Sequence, residues 1–368
     1  MPIRTSFRNT LARKATTKNR GAALITALLF VALATVAATY MVKRQYFDIR
    51  QTSNIVSIDL ANQAALAAES LAITFLEQDL NDPTSKDFDD HAETEKRKEG
   101  VSYPYEEDGT VSGKIFDLQG RFNVNNILTW DKNKQKVIVD KTQVAIFKRL
   151  VENINDTASA NSSSGQSSIT IPPEIVDKLV DWLDEDTDPL STGAEDDIYA
   201  GMTVPHKTPN NLIASTSEIL LLEGIWDETN KTAIFELLEP YIAALPQRTP
   251  INFNVAPKEL IAAMVEGMTI SDGDSIANEL QGTPLDKAAD VVKEFKKLKL
   301  FSGSQKQNQA ALDALSELEK AKMFEVFTEY FQIEVQAEVG GVISRLKSQV
   351  RRTKKGEIFV YARGRGAI

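Results

Sequence analysis

The segment from Glu174 to Tyr199 is crowded with carboxylates and contains a single basic residue. Asp184, Asp186 and Asp188 stand at alternate positions within it. Glu195 follows at the twelfth position counted from the first of these, which is the ligand spacing of an EF-hand loop. Carboxylates at this density repel one another unless solvent separates them or a cation gathers them. Because every candidate ligand atom is oxygen, the pattern favours calcium over a transition metal.

The segment departs from an EF-hand at two positions. Pro189 replaces the glycine that forms the sharp turn, and Ser191 stands where an apolar residue is usual. We therefore interpret the segment as a calcium-type cluster that is not an EF-hand. A solvated acidic loop is the alternative interpretation.

Other kinds of catalytic or binding site find little support in the composition. The chain has no cysteine and only two histidines, His91 and His206, which excludes zinc–thiolate sites and disfavours a Ser–His–Asp triad. Glycine-rich phosphate-binding motifs are absent, and no placed nucleophile accompanies the acids. The sequence therefore predicts a protein that is not an enzyme.

Nucleic-acid binding is opposed by the charge. The 368 residues carry a formal net charge of −10, and residues 1–20 contribute six basic residues and no acid, so the remainder sums to −16. Glu218–Trp226 (EILLLEGIW) is similar to the turn of helix-hairpin-helix modules that bind DNA backbone. The neighbouring acids oppose that activity, and a buried helix ended by Gly224 is the simpler interpretation.

The N-terminal region predicts a membrane anchor. Residues 21–42 contain no charge and are long enough to span a bilayer, and the basic residues before them favour a cytoplasmic N-terminus with the body translocated. Between Ala22 and Asp82 there is neither glycine nor proline, so we expect one helix to continue beyond the membrane until Pro83 stops it.

The body predicts an α+β fold, with the long helix packed on an antiparallel sheet and a large all-helical insertion. We expect a basic segment at 1–21, a membrane half of the helix at 22–42 and a translocated half of the helix at 43–82. Residues 83–144 begin the sheet domain, with a polar loop and short strands at 83–114 and an extended piece at 121–128. Residues 145–325 form the helical insertion with a disordered loop at 156–168, and 326–368 form a three-stranded meander.

The basic segment at 1–21 resembles the leader of type IV pilin-like precursors, in which prepilin peptidase cleaves after a glycine that ends a short basic segment. Asn19-Arg20-Gly21 followed by Ala22 fits this pattern, so the resemblance implies processing between Gly21 and Ala22. Most members of that family have Glu at the fifth mature position, where this chain has Thr26. The K-type minor pseudopilins of type II secretion are the subclass that lacks the Glu.

Motifs throughout the body resemble the same subclass. They are IFDLQGRFNVNNIL, DWLDEDTDP with GAEDDIY, LLLEGI, INFNVAP and ISRLKSQVRR. The resemblance implies a pilin core with a helical insertion, placed at the tip of the periplasmic pseudopilus. It implies bound Ca2+, with the ligand role transferred to Asp184, Asp186, Asp188, Glu195, Asp196 and Asp197.

The resemblance also implies partners and a location. The partners would be the I- and J-type minor pseudopilins, then the H-type and the major pseudopilin, together with prepilin peptidase and the inner-membrane secretion platform. The chain would be a single-pass inner-membrane protein with a periplasmic body. A minor pilin of a type IV pilus and a membrane-anchored DNA-uptake module are the alternatives.

Overall fold

The computed structural model describes residues 20–81, 87–105, 109–161, 169–225, 230–297 and 305–365. Helix α1 (Arg20–Asp79) has 60 residues, so the predicted single helix is confirmed. An 18-residue window of α1 has a mean hydropathy of 2.3, which makes the helix long and apolar enough to cross a membrane. By its contacts the chain divides into two compact units, and the boundary falls within α1 between Asp59 and Leu60.

The second half of α1 packs on a sheet through small side chains. Ala61, Ala64, Ala65 and Leu76 are buried against apolar residues of the sheet. The small volume of the three alanines allows the helix backbone to approach the strands closely. Glu69, at 3% exposure, adds a charged contact, since its carboxylate accepts two hydrogen bonds from Arg363 at 3.0 and 2.8 Å.

The sheet has five antiparallel strands, and the predicted C-terminal meander is confirmed as three of them. Apolar and polar residues alternate along its central strand at the period of a sheet with one buried face. Gly340 and Gly341 both have positive φ, 56° and 76°, at the following hairpin turn. In spatial order the strands are β1 (Val101–Tyr105), β2 (Gly109–Asp117), β9 (Tyr330–Val339), β10 (Val342–Arg352) and β11 (Ile358–Gly364).

A mostly helical region lies between β2 and β9 and buries the larger apolar core. Three pairs of short strands connect its parts: β3 (Phe122–Asn123) with β6 (Ile242–Ala243), β4 (Leu128–Asp131) with β5 (Lys136–Val139), and β7 (Ile251–Asn252) with β8 (Phe324–Glu325). Its α-helices are α3 (Lys141–Asn161), α4 (Ile175–Leu183), α5 (Asp196–Ala200), α6 (Lys231–Leu238), α7 (Lys258–Ala263), α8 (Ile270–Gly282), α9 (Val291–Lys297) and α10 (Gln305–Lys320).

One helix occurs where the sequence predicted a loop. Helix α2 (His91–Glu99) occupies the charged run within 83–114. Asp90 caps it, because its side chain accepts a hydrogen bond from Glu93 N at 2.8 Å. The helix buries only Thr94, so hydrophobic periodicity could not indicate it.

Other boundaries also differ from the predictions. Helix α3 extends through Asp156–Asn161, which was expected to be a disordered loop, while 162–168 lie outside the described residues. The predicted extended piece at 121–128 contains a 3-10 turn over Val124–Ile127, because Asn123 caps it by accepting from Asn125 N. The insertion at 145–325, which was expected to be all-helical, changes near its end: helix α10 ends at Lys320, and Phe324 pairs with Ile251 in a strand.

Candidate metal centre

The acidic segment forms a loop between α4 and α5. Helix α4 turns an apolar face into the core, and its last turns bury Trp182 and Leu183 completely or nearly so. This anchoring fixes the point at which the loop begins, at Asp184. The loop ends at Glu195, whose main-chain oxygen accepts hydrogen bonds from the first turn of α5.

Two carboxylates of α4 hold the loop in its folded shape. Asp181, 1% exposed, accepts a hydrogen bond from Leu190 N at 3.1 Å and another from Ala194 N. One turn earlier, Asp177 accepts from Thr192 N at 3.3 Å and from its hydroxyl at 2.6 Å. These contacts fold the loop back on itself, so that Glu195 lies next to the end of α4.

This shape gathers three of the six predicted ligands. Asp184, Asp186 and Glu195 each place a carboxylate oxygen within 4.8 Å of the other two. Glu195 is only 3% exposed, yet neither of its carboxylate oxygens has a hydrogen-bond partner. Asp184 Oδ1 is likewise buried and without a partner. Buried acceptors without donors are rare in folded proteins and costly, about 1–3 kcal/mol each.

The negative charge of the cluster is not compensated by basic side chains in the described part of the chain. Burial, and to a smaller extent the neighbouring carboxylates, raise the pKa of Glu195 to about 7. Burial also raises the pKa of Asp184, and that of Asp181, to about 6. Among the described residues, no lysine or arginine forms an ion pair with Asp184, Asp186 or Glu195.

A second acidic cluster in the same chain shows how such a site is neutralised by side chains. Asp79, Asp89 and Glu93 are also within metal-ligand distance of one another. Here Arg97 contacts Asp79 at 2.7 Å and Asp89 at 3.1 Å, and Arg352 contacts the same two at 2.5 and 2.6 Å. Two guanidinium groups satisfy this cluster, so it has no need of a metal ion.

The other three predicted ligands point elsewhere. Asp196 accepts hydrogen bonds from Lys207 Nζ at 3.1 Å, Thr208 N at 3.0 Å and Thr208 Oγ1 at 2.9 Å. Asp197 accepts from Ile198 N at 2.9 Å, and both it and Asp188 are exposed. The side chains of Asp196 and Asp197 hold nearby backbone groups, and all three residues lie outside the group of three that converges.

Three aromatic rings lie against the elements that form the loop. Trp182 and Tyr199 pack edge to face with ring centroids 5.1 Å apart. His206 lies 5.0 Å from Tyr199 and 5.8 Å from Trp182, so the histidine is a packing residue here. The rings join the end of α4, helix α5 and the segment that follows α5.

The donor set fits a hard divalent cation. Asp184, Asp186 and Glu195 offer only oxygen and lie together in one loop, and Asp184 Oδ1 and both Glu195 carboxylate oxygens are buried without a partner. These three residues would hold the ion. Bound calcium would neutralise the buried carboxylates and add binding free energy to the folded state.

Two other predicted motifs are the processing site at the N-terminus and the helix-hairpin-helix-like segment. Gly21 and Ala22 lie exposed in the first turn of α1. The helix-hairpin-helix-like segment contains a 3-10 helix, Thr216–Leu221, capped by Ser215 rather than forming the α-helix predicted from 218. Gly224 has φ of 81°, and Glu223 beside it pairs with Lys178 at 2.5 Å, so the turn presents an ion pair where DNA binding would need a basic patch.

Comparison with known proteins indicates the family. The family model described as type II secretion system (T2SS), protein K, matches residues 120–247, a range that includes α4, the acidic loop and α5. Type II secretion system protein K from Pseudomonas aeruginosa is 28% identical over 353 residues, covering 94% of this chain and 92% of that protein. The protein of the same name from Aeromonas hydrophila is 27% identical over 361 residues, covering 94% and 97%.

The chain is similar to type II secretion system protein K over most of its length.

A solved structure shares the fold of this chain. It is the GspK–GspI–GspJ complex from the type 2 secretion system of enterotoxigenic Escherichia coli. The match has a TM-score of 0.59 at 18% identity and covers 86% of this chain and 100% of that chain. The fold of this chain is thus a pilin-like helix and sheet with a large helical insertion, as the sequence predicted.

Proposed function

We propose that this chain is a minor pseudopilin at the tip of the periplasmic type II secretion pseudopilus, where it caps the filament and helps to initiate it. It acts together with I- and J-type minor pseudopilins and performs no chemistry. Its similarity to type II secretion system protein K supports this function, and the fold neighbour that is named with GspI and GspJ supports the choice of partners.

The N-terminal helix supports the assignment of a single membrane anchor, and Thr26 within it differs from the residue that is usual at its position. At the position where most pilin-like chains have Glu, the Thr26 hydroxyl donates to Ala22 O at 3.1 Å and Ala23 O at 3.0 Å. The side chain is therefore satisfied within its own helix. A tip subunit has no neighbour above it whose N-terminal amine requires a carboxylate, which agrees with Thr26 here.

The helical insertion supports a capping position. Residues from α3 to α10 enter the chain between β2 and β9, which are hydrogen-bonded neighbours in the sheet. An insertion of this size on a pilin-like core leaves less room for a further subunit stacked on the same side. Growth of the filament would then proceed by addition at the membrane end.

We assign two further properties to the same function. Prepilin peptidase cleaves between Gly21 and Ala22 on the cytoplasmic side, and Ca2+ binds to Asp184, Asp186 and Glu195. The calcium assignment rests on the convergence of these three carboxylates and on the buried, unpartnered oxygens of Asp184 and Glu195. In a chain without cysteine, the ion would stabilise the helical insertion as a disulfide does elsewhere.

The proposal can be tested by complementation in the chain's own host after deletion of its gene. The full chain should restore the release of folded secreted proteins into the medium and should co-purify with the I- and J-type subunits. Gly21→Ala should leave the leader uncut and abolish secretion, while Gly282→Ala provides the matched control. Normal secretion in the deletion strain would contradict the proposal.

A further inference from the structure

Asn210 lies beside the acid cluster although it is 24 residues further along the chain than Asp186. Its Nδ2 donates to the main-chain oxygen of Asp186 at 3.5 Å. Its Oδ1 is inaccessible to solvent and has no hydrogen-bond partner. Because the two atoms share one carbon, the nitrogen contact keeps the oxygen next to the same loop.

The position of Asn210 is determined by the residues around Glu195. Asp196 binds Lys207 and Thr208 through three hydrogen bonds, and this attaches the segment 207–210 to the start of α5. The ring of His206 packs on Tyr199 at 5.0 Å. The contacts that hold this segment therefore come from the residue that follows Glu195 and from α5.

The backbone of Asn210 supports a specific role for its side chain. Its φ is 47°, in the left-handed region that residues other than glycine adopt at a cost. Asparagine tolerates this region better than most residues. The contacts of the segment maintain the conformation, and it places the amide against the loop instead of in solvent.

Four of the buried, unpartnered atoms around the cluster are carboxylate or amide oxygens, while Trp182 Nε1 and the Tyr199 hydroxyl belong to the neighbouring aromatic rings. The four oxygens are Asp184 Oδ1, both carboxylate oxygens of Glu195, and Asn210 Oδ1. A single hard cation satisfies carboxylate and amide oxygens together, and asparagine side-chain oxygens are normal ligands of calcium. The amide adds a neutral oxygen without adding to the repulsion between the acids.

We propose that Asn210 donates its side-chain oxygen as a fourth protein ligand to the cation held by Asp184, Asp186 and Glu195. This inference rests on the calcium site proposed above. The ion then links the α4–α5 loop to the segment 207–210. Binding of the ion fastens that segment to the loop from a second side, in addition to its attachment through Asp196.

Terbium provides a direct test, because Tb3+ occupies calcium sites and its luminescence lifetimes in H2O and D2O count the water molecules bound to it. The full chain is studied in detergent micelles. Asn210→Gly removes the oxygen and suits the positive φ. We expect it to add about one bound water and to weaken binding about tenfold. Asn210→Asp retains an oxygen and should keep the water count of the unmodified chain.

Asn211→Gly is the matched control, since Asn211 is the exposed neighbour and its Oδ1 accepts from Leu212 N at 2.7 Å, and it should change neither value. An unchanged water count in Asn210→Gly would overturn the inference, even if the affinity fell, because Asn210 would then act only on the loop. Glu195→Gln separates the two proposals. If that variant bound Tb3+ as the unmodified chain does, the metal site itself would be refuted.

Discussion

Gly193 lies directly against the carboxylate of Asp181, so close that a Cβ at position 193 would be 1.8 Å from Asp181 Oδ2. This contact allows the main chain of the loop to reach the buried carboxylate, which accepts from Leu190 N and Ala194 N. Asp181 is thus a positioning residue: it shapes the loop that brings Glu195 to Asp184.

Replacement of this glycine should damage the site without touching a ligand. Gly193→Ala forces the loop away from Asp181, so we expect a loss of about 1–3 kcal/mol in the free energy of unfolding and a loss of calcium-dependent stabilisation. Thermal unfolding with calcium and with chelator measures both. Gly282→Ala, which meets no atom within 4 Å, should behave as the unmodified chain. Equal behaviour of the two variants would refute the role of the contact.

The charge of Glu195 should make the calcium-free protein sensitive to pH. The pKa of Glu195 is raised in the folded state to about 7 from the ordinary 4.5, so the folded chain holds this proton more tightly than the unfolded chain. Its stabilising contribution is complete below pH 4.5 and is lost as the pH rises through 7, by at most about 3 kcal/mol.

Glu195→Gln removes this dependence. In chelator, the variant should gain stability relative to the unmodified chain as the pH rises from 5 to about 7.5, as measured by denaturant unfolding at each pH. Asp197→Asn, at an exposed position, serves as the control. A stability difference that does not vary with pH would show that Glu195 is ionised in the calcium-free protein throughout this range.

The six predicted ligands should separate into two groups. Asp184→Asn removes charge from the converging cluster and should weaken calcium binding by at least about tenfold. Asp188→Asn and Asp197→Asn should leave it within about twofold, because their side chains are exposed and do not converge with the three. Calcium titration of each variant decides this. Comparable losses in all three variants would instead indicate a diffuse acidic surface.

The arginine-neutralised cluster should be essential for stability. Arg352, 1% exposed, binds Asp89, which is fully buried, and Asp79 at the end of α1. Arg352→Met leaves Asp89 with less compensation and should cost about 3–5 kcal/mol in denaturant unfolding. Arg345→Ala, an exposed arginine that contacts only Gln336 in the described part of the chain, should cost less than about 1 kcal/mol. A small loss in Arg352→Met would show that Arg97 alone compensates the acids.

The sequence predicted the features that depend on local pattern. The two-residue period of β9 indicated the sheet, and the absence of glycine and proline indicated α1. The spacing of Asp184, Asp186 and Glu195 indicated that their carboxylates converge, because the three residues lie in one loop. Asp196 and Asp197 have the same carboxylate side chain, but they lie in the first turn of α5, which directs their side chains away from the cluster.

Features that arise from contacts distant in sequence could not be predicted in this way. Asn210 reaches the cluster across 24 residues, and its neighbours PHKTPN carry no ligand motif. Helix α2 has almost no buried face, since its stability comes from the Asp90 cap and from Arg97 contacts to Asp79 and Asp89. Arg352, far along the chain, completes that network only in the folded protein.

Calorimetric titration of the chelator-stripped full chain with Ca2+ in detergent micelles tests most directly whether the acidic loop is a cation site. We expect saturable binding of Ca2+ to the unmodified chain and loss of this binding in Glu195→Gln. Absence of calcium binding in the unmodified chain, or equal binding in Glu195→Gln, would contradict the proposed cation site.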